Sequence, residues 1–254
     1  MTLTDAKIRE LALRLDGAEL ARDDIPSITG SVHFDIRDAY RIQSAVIGLR
    51  EARGERITGV KLGFTSKAKM AQMGVSEVIV GHLTSAMLIP VDGVADLSRF
   101  IHPRVEPEIA YRLARDVDGT TPIESCVDAV APAVEIIDSR YRDFRFTHAD
   151  VVADNTSAAG YALGPWQPIG DVRDRAVRLS AGAARESGST SAILGDPARA
   201  LTALAEVARR RGIPLRAGYT VLAGAATAAI PLVAGAVVCR IDGLGSVSFT
   251  GRDR

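Results

Sequence analysis

The chain of 254 residues is long enough for one large domain with a well-buried core. Its 31 basic and 31 acidic residues balance, which disfavours a nucleic-acid-binding protein and a protein of anionic membrane surfaces. Two cysteines exclude a disulfide framework, and the N-terminus shows no secretory leader pattern, so we expect a cytoplasmic protein.

The first 55 residues are predicted to form a helical N-terminal region, followed by a β-rich domain over residues 56–254 that would hold the functional site. Thr4 and Asp35 are typical N-cap residues, and each precedes apolar residues at helical spacing. Gly54 is predicted to close the second helix. Neither helix carries a recognisable chemical motif, so packing is the simpler interpretation of both.

Residues 57–64 are predicted to form a strand, with glycines where the backbone comes close to another group. Lys61 lies inside this apolar strand. A lysine in that setting must find an anion or emerge at a cleft, and the alternative is a snorkelling lysine on an edge strand. Ser66 is then predicted to cap a short helix over residues 67–73, and residues 82–90 are predicted to form another strand.

Glu106 and Glu108 are the central feature of the next predicted strand. In an extended strand, residues two apart point to the same face, so the two carboxylates lie side by side. Parallel carboxylates repel each other, and a hard divalent cation such as Mg²⁺, Mn²⁺ or Ca²⁺ removes that repulsion. The simpler interpretation is two exposed glutamates on a solvated edge strand. A metal site requires a third carboxylate from elsewhere in the chain.

Residues 130–140 are predicted to form a mostly apolar strand that contains Glu135. A buried carboxylate is costly unless it is paired or bound to metal, so Glu135 is the candidate third ligand. Arg140, at the end of this strand, is a candidate substrate clamp or ion-pair partner. Residues 150–160 are small and polar, which is typical of a loop that lines a site.

The last part of the chain begins with Asp196 and Pro197, which predict the start of a helix that ends at Gly212. Four short apolar segments follow and predict a closing β layer: residues 220–223, 230–233, 237–241 and 246–250. Small residues and a proline interrupt the most apolar stretch, residues 221–238, so no membrane span is expected. Phosphate-binding glycine patterns and a nucleophile elbow are missing, which disfavours nucleotide binding and covalent acyl chemistry.

Four segments together resemble one known group of enzymes: residues 60–70, 102–108, 135–141 and 153–155. Over nearly its whole length the chain is similar to the 2-keto-4-pentenoate hydratase and 4-oxalocrotonate decarboxylase group of the fumarylacetoacetate hydrolase superfamily. The resemblance implies an α+β fold, with a mixed, rolled β-sheet core behind the helical N-terminal region. It also implies that Glu106, Glu108 and Glu135 hold one Mg²⁺ or Mn²⁺ and that Lys61 is catalytic.

The same resemblance implies which residues bind substrate. Asp154 and Ser157 fall on the D-N-x-S loop of the group and are expected to line the substrate site. Gly63 and Arg140 complete the set of candidate substrate-binding residues.

Ile79 bears on which reaction the resemblance implies. It stands where hydratases of the group carry an acid, shortly before the glycine that is Gly81 here. Adding water to the far carbons needs a group that moves protons, whereas losing CO₂ does not need that carboxylate. An apolar wall also disfavours a charged carboxylate relative to a transition state in which the charge is spread out. Ala223 marks another departure, since the group commonly has Ser or Thr before the glycine that is Gly224 here.

The implied activity is metal-dependent decarboxylation of 4-oxalocrotonate (2-oxohex-3-enedioate) to 2-hydroxypenta-2,4-dienoate and CO₂ in the meta-cleavage degradation of aromatic compounds. One alternative is a 2-hydroxypenta-2,4-dienoate hydratase, and another is a catalytically weak partner subunit of such a hydratase. The expected partners are a 2-oxo dicarboxylate substrate, further copies of the chain in a homo-oligomer, and the cognate hydratase.

Overall fold

The computed structural model of the chain describes residues 2–66, 70–71 and 74–253. In this part of the chain, the α-helices are α1 (Asp5–Ala21), α2 (Ile36–Ala52), α3 (His148–Ala153) and α4 (Ala198–Arg211). The strands are β1 (Ile57–Gly63), β2 (Ile79–Thr84), β3 (Leu88–Ile89), β4 (Val94–Asp96), β5 (Arg104–Leu113), β6 (Val127–Ile137), β7 (Ala158–Leu163), β8 (Gln167–Pro168), β9 (Ala176–Ala181), β10 (Ala184–Ser189), β11 (Thr220–Ala225), β12 (Ile230–Pro231), β13 (Gly235–Ile241) and β14 (Gly245–Arg252).

The predicted helix caps Thr4 and Asp35 are confirmed in the structure. The Thr4 side chain accepts a hydrogen bond from the backbone of α1, and Asp35 accepts one from the Asp38 N–H of α2 at 2.9 Å. Helix α4 follows Pro197 and ends at Gly212, which has a φ of 68° in the left-handed region that glycine adopts without strain. The short helix predicted over residues 67–73 lies largely outside the described residues.

A nine-stranded mixed sheet forms the centre of the fold. Its main path runs β2-β1-β11-β5-β6-β7-β3, with β12 paired to β5 and β8 paired to β6. The pairs β1–β11 and β3–β7 are parallel, and the remaining pairs of this sheet are antiparallel. The sheet curls into the rolled core that the family resemblance implied, and β5 lies near its middle.

A five-stranded sheet, ordered β10-β9-β13-β14-β4, packs against the first one. The prediction of a single closing β layer was therefore wrong. Strands β11 and β12 join the nine-stranded sheet, whereas β13 and β14 belong to the second sheet. Alternating apolar residues show that a strand is half buried, but they do not show which strand is its neighbour.

The core passes through helices and sheets without interruption. Buried residues of α1, α2 and α4 share one hydrophobic cluster with residues of both sheets. The division into a helical region of residues 1–55 and a domain of residues 56–254 stays a prediction. No α-helix in the described ranges has the length and apolar character that crossing a membrane would require.

Two local predictions need correction. Residues 82–90 are not one strand, because β2 ends at Thr84 and β3 begins only at Leu88, after a turn. Residues 150–160 are not one loop, because α3 extends to Ala153 and β7 begins at Ala158. Helix α3 has a capping box in which Thr147 and Asp150 satisfy each other's backbone N–H groups, so the sequence contained a helix signal there.

Candidate metal centre and active site

The three predicted ligand residues come together on adjacent strands. Glu106 and Glu108 project from the same face of β5, and Glu135 on β6 lies directly opposite Glu106 in the antiparallel register. One carboxylate oxygen from each residue lies within 4.8 Å of the others. All three side chains are buried, so the interpretation as exposed glutamates on an edge strand was wrong.

Burial makes this cluster costly in the absence of a cation. Burial, followed by the nearby charge of Glu135, raises the pKa of Glu108 well above its ordinary value of 4.5. Burial also raises the pKa of Glu135, and the Lys61 charge opposes that rise. No N–H or hydroxyl group of the described residues donates to Glu108 Oε1 or Glu135 Oε2. Glu106, Glu108 and Glu135 together offer the oxygen-only donor set that Mg²⁺ and Mn²⁺ prefer, so the residues present fit such an ion.

Gly224 holds the remaining oxygen of Glu108. Its backbone N–H donates to Glu108 Oε2 at 2.7 Å, and its φ of 111° lies in the region that favours glycine. A Cβ at this position would overlap Thr65, so only glycine allows the close approach. The contact comes from the backbone, and it is therefore independent of Ala223, where the group commonly has a hydroxyl.

Lys61 pairs with an anion and also lines a cleft. On β1 it lies two strands from β5, it is 3% exposed, and Nζ lies 3.0 Å from Glu135 Oε1. Nζ also donates to the backbone carbonyl of Thr156 at 3.0 Å. The alternative of a snorkelling lysine on an edge strand was wrong, since β1 is paired on both sides. The ion pair with Glu135 and the hydrogen bond to the Thr156 carbonyl fix the ammonium group beside the three carboxylates.

The Thr156 carbonyl that accepts from Lys61 lies in a tight turn. Asn155, Thr156 and Ser157 have consecutive φ values of 48°, 53° and 59°, which is left-handed backbone outside glycine. The turn is fixed to β2, because the Asn155 side chain accepts from His82 N at 2.8 Å and donates to His82 O at 2.9 Å. Gly81 is needed here, since a Cβ would collide with Thr156 and with the Asn155 carbonyl. This strained turn, fixed to β2, thus positions the Thr156 carbonyl that accepts a hydrogen bond from Lys61.

The acid cluster borders a cavity of about 660 Å³, and Glu106 is the acid that lines it. Glu106, Lys61, Gly63 and Ser157 line it, so the structure places these four predicted residues at one site. Residues that the sequence had not marked also contribute to the lining: Phe64, Thr65, Phe144, Phe146, Val151 and Thr156.

Ile79 forms an apolar part of the cavity wall. It pairs with Gly63 across β1 and β2, so its side chain shares a face with Lys61 and Gly63. A Cβ on Gly63 would lie 2.8 Å from Ile79 Cγ1, so the absence of a side chain at residue 63 makes room for Ile79. The position where hydratases of the group carry an acid therefore faces the cavity, and in this chain it is hydrocarbon.

Arg140 and Asp154 do not line the cavity and instead form a buried ion pair. Arg140 Nε donates to Asp154 Oδ1, and Arg140 Nη2 donates to the Asp154 carbonyl at 2.6 Å. Burial raises the pKa of Asp154 to about 7, although the Arg140 charge opposes that rise. Of the two roles left open for Arg140, the geometry favours the ion-pair partner over the substrate clamp. A substrate-binding role for either residue stays a prediction.

Asp154→Asn is expected to destabilise the protein by about 3–5 kcal/mol, because it removes the carboxylate that pairs with the buried Arg140 guanidinium. Urea unfolding measures this free energy, and the double variant Arg140→Met with Asp154→Asn should recover part of the loss. Unchanged stability together with a raised KM would instead assign the pair to substrate binding.

The curled mixed sheet has the fold of a fumarylacetoacetate hydrolase family protein from Yersinia pestis CO92, which matches with a TM-score of 0.56 and 14% identity over 76% of this chain and 92% of that one. No family model matches the sequence. It is 49% identical to a 4-oxalocrotonate decarboxylase of Pseudomonas sp. over 96% of this chain and 98% of that protein. It is 37% identical to a 2-keto-4-pentenoate hydratase of Paraburkholderia xenovorans, strain LB400, over 89% of this chain and 85% of that protein.

A solved structure supports the same assignment. The 4-oxalocrotonate decarboxylase from Pseudomonas putida G7, complexed with magnesium and adipate, matches with a TM-score of 0.93 and 36% identity, over 99% of both chains. The chain therefore belongs to the family of 4-oxalocrotonate decarboxylases and 2-keto-4-pentenoate hydratases, which are lyases.

Proposed function

We propose that this chain is a divalent-metal-dependent decarboxylase that converts 4-oxalocrotonate to 2-hydroxypenta-2,4-dienoate and CO₂ in a meta-cleavage pathway for aromatic compounds. One observation carries the proposal. Three buried carboxylates and Lys61 meet beside a cavity whose wall at Ile79 is apolar. The names of the most similar relatives support the same reaction.

Decarboxylation requires that the electron pair of the breaking C–C bond be stabilised elsewhere in the substrate. In 4-oxalocrotonate the ketone at C2 is conjugated through a double bond to the carbon that carries the departing carboxylate. When the C5–C6 bond breaks, CO₂ leaves and its electron pair moves through the chain to the C2 oxygen as a dienolate. A proton on that oxygen then gives 2-hydroxypenta-2,4-dienoate. The site must therefore stabilise negative charge at one end and tolerate its loss at the other.

Glu106, Glu108 and Glu135 would hold Mg²⁺ or Mn²⁺ at the first end. Such an ion, when bound, supplies a Lewis acid that stabilises the negative charge developing on the C2 oxygen. Lys61 adds a positive charge that the protein positions in advance, since Glu135 and the Thr156 carbonyl fix Nζ. An ammonium group has three hydrogens, so one beyond those two contacts can point into the cavity and reach the dienolate oxygen.

The remaining residues shape the other end. Ile79 presents hydrocarbon where the departing carboxylate would lie, and an apolar surface gives that charge no compensation. Gly63 makes room for the Ile79 side chain at the cavity wall, and the Ser157 hydroxyl offers a hydrogen bond there. One end of the cavity then stabilises the charge that develops on the C2 oxygen, and the other end leaves the departing carboxylate without compensation. Both effects lower the barrier to CO₂ loss.

A turnover assay of the purified chain tests this proposal. With Mg²⁺ or Mn²⁺ and no partner protein, we expect one CO₂ to be released for each 4-oxalocrotonate consumed, as followed by substrate absorbance. A chelator should stop both. The hydratase alternative is tested in parallel by supplying 2-hydroxypenta-2,4-dienoate and measuring its water adduct. Hydration without CO₂ release would replace the proposal with the hydratase, and no turnover by the chain alone would favour the weak partner subunit.

The assembly of the enzyme also belongs to this proposal. Hydratases are among the relatives of this chain, at 36–37% identity, so an association between this chain and its cognate hydratase belongs to the proposal. A homo-oligomer, a complex with the cognate hydratase and a cytoplasmic location stay predictions.

A further inference from the structure

Arg104 opens strand β5 on the same side as the acid cluster. It is two residues from Glu106 and four from Glu108, so the three side chains share one face of the strand. Arg104 lines the cavity and is exposed to solvent. A cationic side chain therefore lies at the cavity, one step along the strand from two of the acids.

This guanidinium group forms no hydrogen bond or ion pair with any residue that the structure describes. Its Cζ lies 5.0 Å from the centre of the Phe144 ring, which also lines the cavity. Stacking on an aromatic face restrains the side chain and leaves its N–H donors available. Lys61, in contrast, is already paired with Glu135. Arg104 is thus ready to accept a carboxylate from a molecule in the cavity.

The order of strands indicates which carboxylate of a dicarboxylate that would be. Arg104 and two of the acids are on β5, whereas Ile79 is on β2, with β11 and β1 between them. Neighbouring strands lie about 4.8 Å apart, so Arg104 and Ile79 are at opposite sides of the cavity. A substrate that extends from the acids across Lys61 to Ile79 places its 2-oxo acid end beside Arg104.

The energetics of decarboxylation also favours placing Arg104 at the 2-oxo acid end of the substrate. A guanidinium–carboxylate pair stabilises a charge, and an interaction that is stronger in the ground state than in the transition state raises the barrier of the chemical step. At the departing carboxylate the pair would be lost as CO₂ forms, which would raise the barrier. At the C1 carboxylate, which the product keeps, the pair persists through the reaction. We propose that Arg104 binds the C1 carboxylate of the 2-oxo acid, an inference that rests on the proposed function.

Calorimetric titration of two ligands in the presence of Mg²⁺ tests the assignment. 2-Oxopentanoate has only the C1 carboxylate, and 2-oxoadipate has a second carboxylate at the far end. In Arg104→Met we expect the Kd of both ligands to rise about tenfold, because one charge-assisted pair at a solvent-exposed site is lost. Arg104→Lys keeps the charge but not the planar fork, so its Kd values should lie between those of the wild type and Arg104→Met.

Arg112→Met is the matched control. Arg112 lies on the same strand, and its Cζ is 5.5 Å from the Trp166 ring, but it pairs with Asp128 and does not line the cavity. Its variant should bind both ligands like the wild type. The melting temperature and the Mg²⁺ affinity of Arg104→Met should also match those of the wild type, which shows that fold and acid cluster are intact.

The other results overturn the assignment of Arg104, the proposed function, or both. Weaker binding of 2-oxoadipate alone would place Arg104 at the departing carboxylate, and unchanged binding of both ligands would remove it from substrate recognition. A wild-type protein that binds neither 2-oxo acid contradicts both this inference and the proposed function. A wild-type protein that binds both ligands but releases no CO₂ contradicts the proposed function alone, and the Arg104→Met titration still decides the role of Arg104.

Discussion

Glu108→Gln is expected to lower decarboxylation on the order of a thousandfold, because the ion it helps to hold would contribute several kcal/mol to stabilising the transition state. The same substitution should stabilise the metal-free protein. Glu108 is fully buried beside two other acids, whereas glutamine carries no charge and can still accept the Gly224 N–H at Glu108 Oε2. A residue that lowers stability and raises activity is the expected signature of a functional site.

The stability gain should depend on pH in a defined direction. The folded-state pKa of Glu108 is raised, so above the unfolded value of 4.5 the folded protein keeps a proton that the unfolded chain releases. Wild-type stability therefore falls as the pH rises from there towards the folded-state pKa, whereas Glu108→Gln escapes this loss. At neutral pH and without metal, we therefore expect the free energy of unfolding of Glu108→Gln to exceed that of the wild type.

Thermal unfolding with chelator and with Mg²⁺ measures both effects. With chelator, Glu108→Gln should melt at a higher temperature than the wild type. With Mg²⁺ the wild type should melt at the higher temperature, because it binds the ion more tightly and is stabilised more by it. Glu51→Gln, at an exposed position on α2, is the matched control and should change neither activity nor stability. A Glu108→Gln protein that is less stable without metal, and that keeps its turnover, would show that the acids have a structural role.

The acid cluster could be predicted because its main signals are local. A period of two places Glu106 and Glu108 on one face whatever the rest of the fold does. Glu135 stood out because a carboxylate inside an apolar strand needs a partner. The sequence does not give the strand register that puts Glu135 opposite Glu106, since pairing depends on contacts across the whole sheet.

The two arginines show where local reasoning stops. Arg104 and Arg140 both lie at strand ends close to predicted site residues, and their side chains have the same chemistry. Arg140 turns inward to Asp154, and Arg104 turns to the cavity. Those directions follow from the turn after β6 and from the packing of Phe144, which are tertiary features. Arg140 was predicted to be a substrate clamp or an ion-pair partner, and proximity in sequence could not decide between these roles because it does not determine direction.

Ile79→Glu is expected to lower decarboxylation about a hundredfold and to introduce measurable hydration of 2-hydroxypenta-2,4-dienoate. Ile79 is 2% exposed and faces the cavity opposite Gly63, so a carboxylate there would repel the departing carboxylate of the substrate. The same carboxylate could move protons at the far carbons, which the addition of water requires. Parallel assays of CO₂ release and of the water adduct measure the two activities.

Ile79→Gln separates charge from shape, because glutamine has nearly the size of glutamate and cannot act as a base near neutral pH. We expect it to lose decarboxylation only about tenfold, through the polarity it buries, and to gain no hydration. Melting temperatures of both variants confirm that each is folded before its activities are compared. If Ile79→Glu decarboxylates as fast as the wild type, the apolar wall does not assist CO₂ loss, and the distinction between decarboxylase and hydratase must arise from other residues of the cavity.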